Sequence, residues 1–162
     1  MTAAAVPVWQ RQVGDFAHLL HLGPPAVRPK DPIEAVVLAL SRDPHARSVF
    51  VTDADDHLLG AIPEQRLDAD LVKLVLPQPL WPALGELDTR ELMRAASRVR
   101  ETASDLMGRG IEAKVETSLK DVVIGMIRGG QPVTALTDPE HRLLGYVSLF
   151  EILAELLPYT TH

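Results

Sequence analysis

One turn of the sequence groups side chains that could bind a hard cation. It carries Asp53, Asp55, Asp56 and His57 within five residues. Clustered oxygen ligands are what calcium and magnesium prefer. The turn lacks the spacing and the terminal glutamate of a calcium loop, however, so the sequence favours a solvated hairpin turn and predicts no metal there.

Histidines form the second candidate group. His18 and His21 lie three residues apart on a stretch that could be helical, where they could share a metal ion. The sequence places no third ligand near them, so a metal site is not predicted. The other histidines singled out, His45, His141 and His162, show no partner pattern.

Ser148 and Glu151 form the third group, at the predicted start of a helix that follows a strand. The Ser148 hydroxyl and the exposed amides of a helix N-terminus can bind a phosphate. Glu151 lies one turn further on the same side, where its carboxylate can accept hydrogen bonds from ribose hydroxyls. A purely structural alternative remains open, in which Ser148 is a helix cap and Glu151 completes a capping box.

The sequence contains none of the motifs that the common hydrolytic and phosphate-transferring enzymes require. There is no Gly-x-Ser-x-Gly, no phosphate-binding loop and no paired catalytic carboxylate. The chain has no cysteine, which removes disulfides, zinc–thiolate sites and thiol nucleophiles together. We therefore expect that the protein is not an enzyme, that it needs no cofactor and that it binds no metal.

Composition excludes several further classes of protein. The chain has 162 residues, 46% of them hydrophobic and 23% charged, which is an ordinary globular balance. Its net charge of -6 disfavours nucleic-acid binding, which needs a basic face. The uncharged stretch Leu74–Gly85 carries three prolines and is too short to cross a bilayer, so no membrane insertion is expected. The cysteine-free chain fits a reducing cytosol, and a cytoplasmic location is predicted.

The sequence contains two copies of one residue pattern. The stretch Ser48–Ile62 and the stretch Val133–Val147 share Thr-Asp and Leu-Leu-Gly, each at a spacing of about 85 residues. Upstream, Asp31–Leu40 matches Thr117–Met126 in apolar pattern. The same order of elements around both pairs indicates an internal duplication.

Each copy predicts a β-α-β-β-α unit, which makes the fold class α+β. A short strand, near 26–28 or 113–115, precedes a helix that Asp31 or Thr117 can cap. A β-hairpin follows, with polar turns after Thr52 and Thr137. A closing helix then runs from about 64 to 76, or from about 149 to 157. The predicted apolar helix faces are formed by Ile33, Val36, Val37 and Leu40, and by Leu119, Val122, Val123, Met126 and Ile127.

A proline-rich segment and a connecting helix separate the copies. The segment around Trp81 could cover the core, pack in a homodimer or dock a different partner. A single helix is predicted from Asp88 to Leu106, with Glu91 completing its N-terminal cap and Gly108 ending it. The stretch Gly14–Leu20 is its counterpart in the first copy. The apolar face comprises Leu92, Ala95, Ala96, Val99, Ala103 and Leu106.

Two local motifs, taken with this β-α-β-β-α pattern, resemble the CBS domain, named for cystathionine β-synthase. They are Ser104–Met107 and the run 145–152, in which glycine, two apolar residues and Ser148 are followed by an acidic residue. Two copies resemble a CBS pair, or Bateman module, over roughly residues 12–158. The resemblance implies two repeats packed about a pseudo-twofold axis, divided as 1–76, 77–103 and 104–158.

The resemblance also implies a regulatory function. CBS pairs typically bind adenosine-containing ligands such as AMP, ADP, ATP or S-adenosylmethionine, usually dimerise, and signal to a regulated protein by conformational change. Here it implies a nucleotide site formed by Ser148 and Glu151 at the helix start and by Ile111, Pro132 and Val133 around the adenine. The alternative is a degenerate CBS scaffold that acts in protein interaction or dimerisation without a ligand.

Both copies depart from the family pattern. Glu151 stands where the family has aspartate, and its extra methylene displaces the carboxylate. In the first copy Pro63 replaces the serine or threonine, and Arg66 replaces the aspartate. Proline suits a helix start but offers no hydroxyl, and arginine cannot accept from ribose. The first site is therefore predicted to be degenerate, with Arg66 as a candidate phosphate contact for the other copy.

Overall fold

The protein is described by a computed structural model that covers residues 5–67, 75–85 and 89–160. The described residues form two mixed β-sheets flanked by helices, which confirms the α+β fold class. The strands are β1 (His21–Leu22), β2 (Ala26–Val27), β3 (Ser48–Thr52), β4 (Leu58–Pro63), β5 (Glu112–Ala113), β6 (Val133–Thr137) and β7 (Leu143–Ser148). The helices are α1 (Ile33–Arg42), α2 (Thr89–Arg98), α3 (Ala103–Leu106), α4 (Leu119–Gly129) and α5 (Leu149–Leu156).

The two sheets repeat one topology. In the first, β2 pairs in parallel with β3, and β3 pairs antiparallel with β4. In the second, β5 pairs in parallel with β6, and β6 pairs antiparallel with β7. Helices α1 and α4 make the crossovers that parallel pairs require. The predicted duplication of a strand, helix and hairpin is therefore present in the fold.

A local twofold axis relates the two copies at the tips of their hairpins. The Leu58 amide donates to the His141 carbonyl at 2.9 Å, and the Leu143 amide donates to the Asp56 carbonyl at 2.9 Å. The members of each bond exchange when one copy is superimposed on the other. Asp56 and His141 also share a positive φ, of 66° and 64°. Reciprocal bonds of this kind are what a twofold arrangement of repeats generates.

The copies exchange the segments that precede them. Val13, Phe16 and Leu19 pack in the core of the second copy, with α4 and α5. In return, Ala103 and Leu106 pack in the core of the first copy, against α1. Each exchanged segment also forms a reciprocal isolated bridge, Gln12 with Ser118 and Thr102 with Pro32. The exchange ties the halves together through their cores.

Close approach of the exchanged segments explains the glycine in the repeated Leu-Leu-Gly. A Cβ atom on Gly60 would lie 2.6 Å from the carbonyl oxygen of Gly108. A Cβ atom on Gly145 would collide with the carbonyl oxygen of His21. These contacts follow from the pairing of β4 with Gly108 and of β7 with β1.

Three clusters form the core. Two lie between a sheet and its helices, and the third lies where the sheets face each other. Strand β3 shows the alternation, since Val49 and Val51 face α1 while Phe50 joins the cluster between the sheets. All residues of β3 and β6 are buried because both faces of each strand are covered. The cluster between the sheets contains Ala46, Phe50, Ala61, Val133, Ala135 and Tyr146.

The predicted connecting helix is not continuous, and its prediction was wrong in this respect. Helix α2 ends at Arg98, and the short α3 begins after Thr102, which forms a capping box with Asp105. The break occurs because Thr102 bridges Pro32 and the Ala103 amide donates to the Asp31 carbonyl at 2.8 Å. Pairing with the first copy thus interrupts the helix, although the periodic spacing of apolar residues continues through the break. Val99 is exposed, and Asp88 and the side chains of Leu92, Ala95 and Ala96 lie outside the described residues.

The predicted caps of the crossover helices were also displaced. The N-caps are Pro32 and Ser118, not Asp31 and Thr117. The Asp31 carboxylate and the Thr117 hydroxyl instead accept from the amides of Arg28 and Lys114, in the turn before each helix. The sequence pattern therefore located a real polar turn, one residue early.

Other element boundaries differ more modestly. Helix α5 ends at Leu156, and Ile127 on α4 is exposed. The segment 14–20 forms 3₁₀ turns and no α-helix, since Val13 and Leu19 are held against the second core. The first closing helix begins as a 3₁₀ turn, Glu64–Arg66, and residues 68–74 of its predicted span lie outside the described residues. Among the described residues, no helix combines the length and apolar character that crossing a bilayer demands.

Candidate functional site

A cleft of about 420 Å³ opens at the end of the second sheet, beside Ile111. Its floor depends on a glycine, because a Cβ atom on Gly129 would overlap the Ile111 side chain. The Ile111 carbonyl accepts from the Ala135 amide at 2.9 Å and is therefore part of the sheet. The cleft is lined by Arg109, Gly110, Ile111, Glu112, Gly129 and Gln131.

Two charged residues of this cleft were missed by sequence reasoning. Arg109 is exposed and makes no hydrogen bond or ion pair with any described residue. Glu112 accepts from Thr137 at 3.0 Å and pairs with His141. Partial burial opposes its ionisation, but the bonds from His141 and Thr137 outweigh this and lower the pKa of Glu112. The cleft therefore offers an unpaired cation beside a carboxylate that is already engaged.

Pro132, Val133 and Ser148 meet at the same end of the second sheet. Val133 lies opposite Ser148 in the β6–β7 register, and the Leu149 amide donates to the Pro132 carbonyl at 3.0 Å. The Val133 side chain points into the cluster between the sheets and is 5% exposed. Val133 can therefore shape the site through its backbone but offers little side-chain surface.

Ser148 occupies the N-cap of α5, but its side chain makes no capping hydrogen bond. The equivalent position of α4 behaves differently, since the Ser118 hydroxyl accepts from the Asp121 amide at 3.2 Å. The capping-box alternative for Ser148 and Glu151 is therefore wrong. The Ser148 hydroxyl remains available at a helix N-terminus, where an anion is favoured.

Glu151 is held by a histidine, His21, which the sequence singled out only as a possible partner of His18 in a metal site. Its Oε1 lies 2.7 Å from Nε2 of His21, which comes from the exchanged strand β1. His21 stacks on Tyr146, with ring centroids 4.7 Å apart and planes 11° from parallel. His18 pairs separately with Glu155 at 2.9 Å. Each histidine thus has its own carboxylate, and the two lie on a 3₁₀ turn and a strand, not on one helix.

Tyr146 links this arrangement to the first copy. Its ring is fully buried, and its hydroxyl donates to Asp43 at 2.7 Å. Burial, followed by the hydrogen bond to Asp43, raises the pKa of the Tyr146 hydroxyl. Asp43 lines a cleft of about 300 Å³ with Gly23, Pro24, Pro25 and Ala26, the counterpart of the Ile111 cleft.

Arg66 lies in a different cleft from Ile111. Its guanidinium donates to the Leu106 carbonyl at 3.1 Å and occupies space over Gly108, where a Cβ atom would lie 2.8 Å from it. Arg98, Glu101 and Asp105 line the same cleft. Pro63 precedes the 3₁₀ turn that carries Arg66.

The acidic turn is organised by its own backbone. One carboxylate oxygen of Asp53 accepts from the amides of Asp55 and His57, each at 2.9 Å. The backbone bond from His57 is the main cause that lowers the pKa of Asp53. Asp138 makes the same pair of bonds in the second copy. Ligand atoms of Asp53, Asp55 and His57 lie within 4.8 Å of one another, but the repeat accounts for this turn as a hairpin connection.

Trp81 lies on a 3₁₀ helix, Gln78–Leu84, and its indole donates to the Leu76 carbonyl at 3.0 Å. The ring is partly buried, while Leu80 beside it is 50% exposed. The indole is thus tied to its own segment, while Leu80 presents apolar surface to solvent.

Comparison with known proteins shows the fold. No protein-family model and no curated protein sequence matches the chain. A CBS domain-containing protein from Thermotoga maritima is similar, with a TM-score of 0.66 and 24% identity over 94% of this chain and 99% of that one. CBSX2 in complex with AMP, a protein from Arabidopsis thaliana, matches with a TM-score of 0.60 and 19% identity over 92% and 98%.

The cytosolic domain of the Mg²⁺ channel MgtE in complex with ATP is a further similar structure. Its TM-score is 0.62 and its identity 20%, over 91% of this chain and 49% of that one. The chain has the fold of a tandem CBS pair.

Proposed function

We propose that the protein is a regulatory module that binds one adenosine-containing nucleotide per chain, in the second copy. The observation that carries the proposal is the free Ser148 hydroxyl at the N-terminus of α5, one turn from the Glu151 carboxylate. The hydroxyl and helix amides suit a phosphate, and the carboxylate suits ribose hydroxyls. Two proteins of the same fold carry AMP and ATP in their structures, which supports this class of ligand.

The adenine would enter the cleft beside Ile111, with Pro132 and Val133 forming the adjoining backbone. Gly129 leaves room for the Ile111 side chain, which would form one wall of the adenine slot. Arg109 lines this cleft and is exposed, and we propose that its side chain extends from the cleft toward the phosphate at Ser148. Arg66 remains a weaker candidate for that contact, because it lies in another cleft and already donates to the Leu106 carbonyl.

Signalling would be a population shift. A ligand that prefers one arrangement of the two copies, or of two protomers in a homodimer, moves the equilibrium toward it, and a regulated protein reads the change. The cores share exchanged segments, so the copies can respond as one body. The proposed module catalyses no reaction, requires no cofactor and acts in the cytoplasm, where adenine nucleotides report the energy state.

A second candidate function is a CBS scaffold without a ligand, acting in protein interaction. One observation favours it, because both motif positions are satisfied internally. Glu151 bonds to His21, and Arg66 bonds to the Leu106 carbonyl. In this case the surface around Trp81 and Leu80 becomes the first place to look for a partner.

Thermal unfolding with AMP, ADP, ATP, S-adenosylmethionine or Mg²⁺ separates the two candidates. A ligand at a hundredfold excess over its Kd stabilises the folded state by about 2.7 kcal/mol, which shifts Tm by several degrees. A shift with adenosine ligands that is lost in Ser148→Ala/Glu151→Ala supports the proposed site. A shift that survives the double substitution moves the site elsewhere, and no shift with any nucleotide favours the scaffold.

A further inference from the structure

His21 is the side chain that fixes the position of the Glu151 carboxylate. Its Nε2 lies 2.7 Å from Oε1 of Glu151, across 130 residues of sequence. Oε2 of Glu151 makes no hydrogen bond with any described residue, so one oxygen is held while the other is left to accept. Both side chains are partly exposed, at 32% for His21 and 41% for Glu151, and a ligand can reach the pair.

His21 is itself held from two directions. Strand β1 pairs with β7 so that His21 lies directly opposite Tyr146, and the two rings stack. Tyr146 is fully buried and is anchored to Asp43 of the first copy by its hydroxyl. The imidazole therefore has little freedom to turn away. A carboxylate fixed by such a partner binds without first giving up the rotamer freedom of a long glutamate side chain.

The first copy shows what the same place looks like without this pair. Gly108 stands opposite Ala61 where His21 stands opposite Tyr146. Arg66 fills the space over Gly108, in place of a carboxylate. The histidine, the stacked tyrosine and the glutamate thus occur together in one copy and are absent together from the other.

We infer that His21 is a positioning residue that orients Glu151 for a ligand with vicinal hydroxyls, and so sets the preference for ribonucleotides over 2′-deoxyribonucleotides. The inference rests on the proposed nucleotide site. It adds that a residue from the exchanged N-terminal segment, which no motif marks, determines the sugar specificity.

The test compares AMP with 2′-deoxy-AMP, and ATP with 2′-deoxy-ATP, by calorimetric titration. A hydrogen bond between a hydroxyl and a fixed carboxylate predicts about a tenfold preference for the ribonucleotide in the wild type. In His21→Ala the preference should fall to less than about threefold, since Glu151 loses its fixed position. His21→Gln keeps a donor and should retain most of the preference. A merely structural role for His21 would weaken both nucleotides of a pair equally.

His18→Ala is the matched control. His18 lies on the same segment and pairs with Glu155 of the same helix, one turn beyond Glu151. This variant should discriminate as the wild type does, and unfolding curves confirm that each variant is folded. A wild type that prefers ribonucleotides, with His21→Ala retaining the full preference, overturns the inference alone. A wild type that binds no nucleotide overturns the proposed function and the inference with it.

Discussion

The two halves of the chain place opposite charges at equivalent positions of one fold. Three residues after its last strand, the first half carries Arg66 and the second carries Glu151. Each side chain turns toward the exchanged segment, Arg66 to the Leu106 carbonyl and Glu151 to the His21 ring. The two halves keep the same contact between this position and the exchanged segment, but an arginine makes it in one half and a glutamate in the other. They therefore share a scaffold but not the chemistry of this position.

The hairpin turns show the reverse, since there both topology and chemistry are kept. Asp53 and Asp138 each accept hydrogen bonds from the backbone amides two and four residues further along their turns. Arg28 and Lys114, at equivalent positions, each donate to a threonine hydroxyl and to an aspartate carbonyl at the strand end. Residues that close the fold therefore stay alike, while residues facing the clefts diverge.

The largest predicted effect tests whether the stability of both halves depends equally on the close approach of the exchanged segments to strands β4 and β7. Gly145→Ala forces a Cβ atom onto the His21 carbonyl, and Gly60→Ala places one 2.6 Å from the Gly108 carbonyl. Because backbone must move in both cases, each change should lower the free energy of unfolding by about 3 kcal/mol. Urea unfolding measures this.

Gly125→Ala is the control for this pair. Its nearest neighbour would be the Ile111 side chain at 3.8 Å, and the residue lies inside α4. Alanine there should stabilise by about 0.5–1 kcal/mol. If Gly145→Ala were equally harmless, the exchanged strand would not be packed as described.

Tyr146→Phe should cost about 2 kcal/mol, because it removes a buried bond to the Asp43 carboxylate that joins the halves. The effect depends on pH. Burial and Asp43 raise the pKa of Tyr146 in the folded state, whereas an unfolded tyrosine ionises near pH 10. The unfolded state therefore loses its proton first, and stability falls as pH rises above about 10.

The phenylalanine variant lacks this titration. Urea unfolding at pH 8 and at pH 10.5 should show a smaller alkaline loss in Tyr146→Phe than in the wild type. Tyr159→Phe, at an exposed position, is the control and should keep the wild-type loss. Equal losses in all three proteins would contradict the raised pKa.

The next prediction tests which cleft provides the phosphate contact, the one lined by Arg109 or the one lined by Arg66. Arg109→Ala should weaken AMP binding by about tenfold, since it removes the cation that lines the Ile111 cleft. Arg66→Ala should change the affinity by less than about twofold, because its guanidinium is bound to the Leu106 carbonyl. Isothermal titration measures both. The reverse ranking would assign the phosphate to Arg66 and join the clefts in one site.

The smallest effect compares two serines at helix starts. Ser148→Ala should leave the stability of the ligand-free protein within about 0.5 kcal/mol, because its hydroxyl caps nothing, while it weakens AMP binding several-fold. Ser118→Ala should cost about 1 kcal/mol of stability and leave AMP binding unchanged, because it removes a cap. If Ser148→Ala destabilised the free protein as much as Ser118→Ala, Ser148 would be a structural cap.

Local pattern predicted the repeated elements well and their ends poorly. The period of α1 and α4 and the β-rich hairpins identified the duplication, because each half buries the same apolar faces. The connecting helix was predicted as one because Ala103 and Leu106 continue its apolar period, yet they are buried in another core. A period shows that a face is apolar but not which surface covers it.

The candidate site divides in the same way. The sequence alone determined the twofold repeat, the strand-to-helix position of Ser148 and Glu151, and the loss of both groups in the first half, since these follow from residue type and local spacing. Only the tertiary structure decided that His21 reaches Glu151, that Tyr146 reaches Asp43 and that Arg109 shares a cleft with Ile111. His21 and Glu151 are 130 residues apart, and Tyr146 and Asp43 are 103 apart. The first pair forms because strand β1 is exchanged between the copies, and the second because the two sheets face each other at Tyr146. Local propensity records neither arrangement.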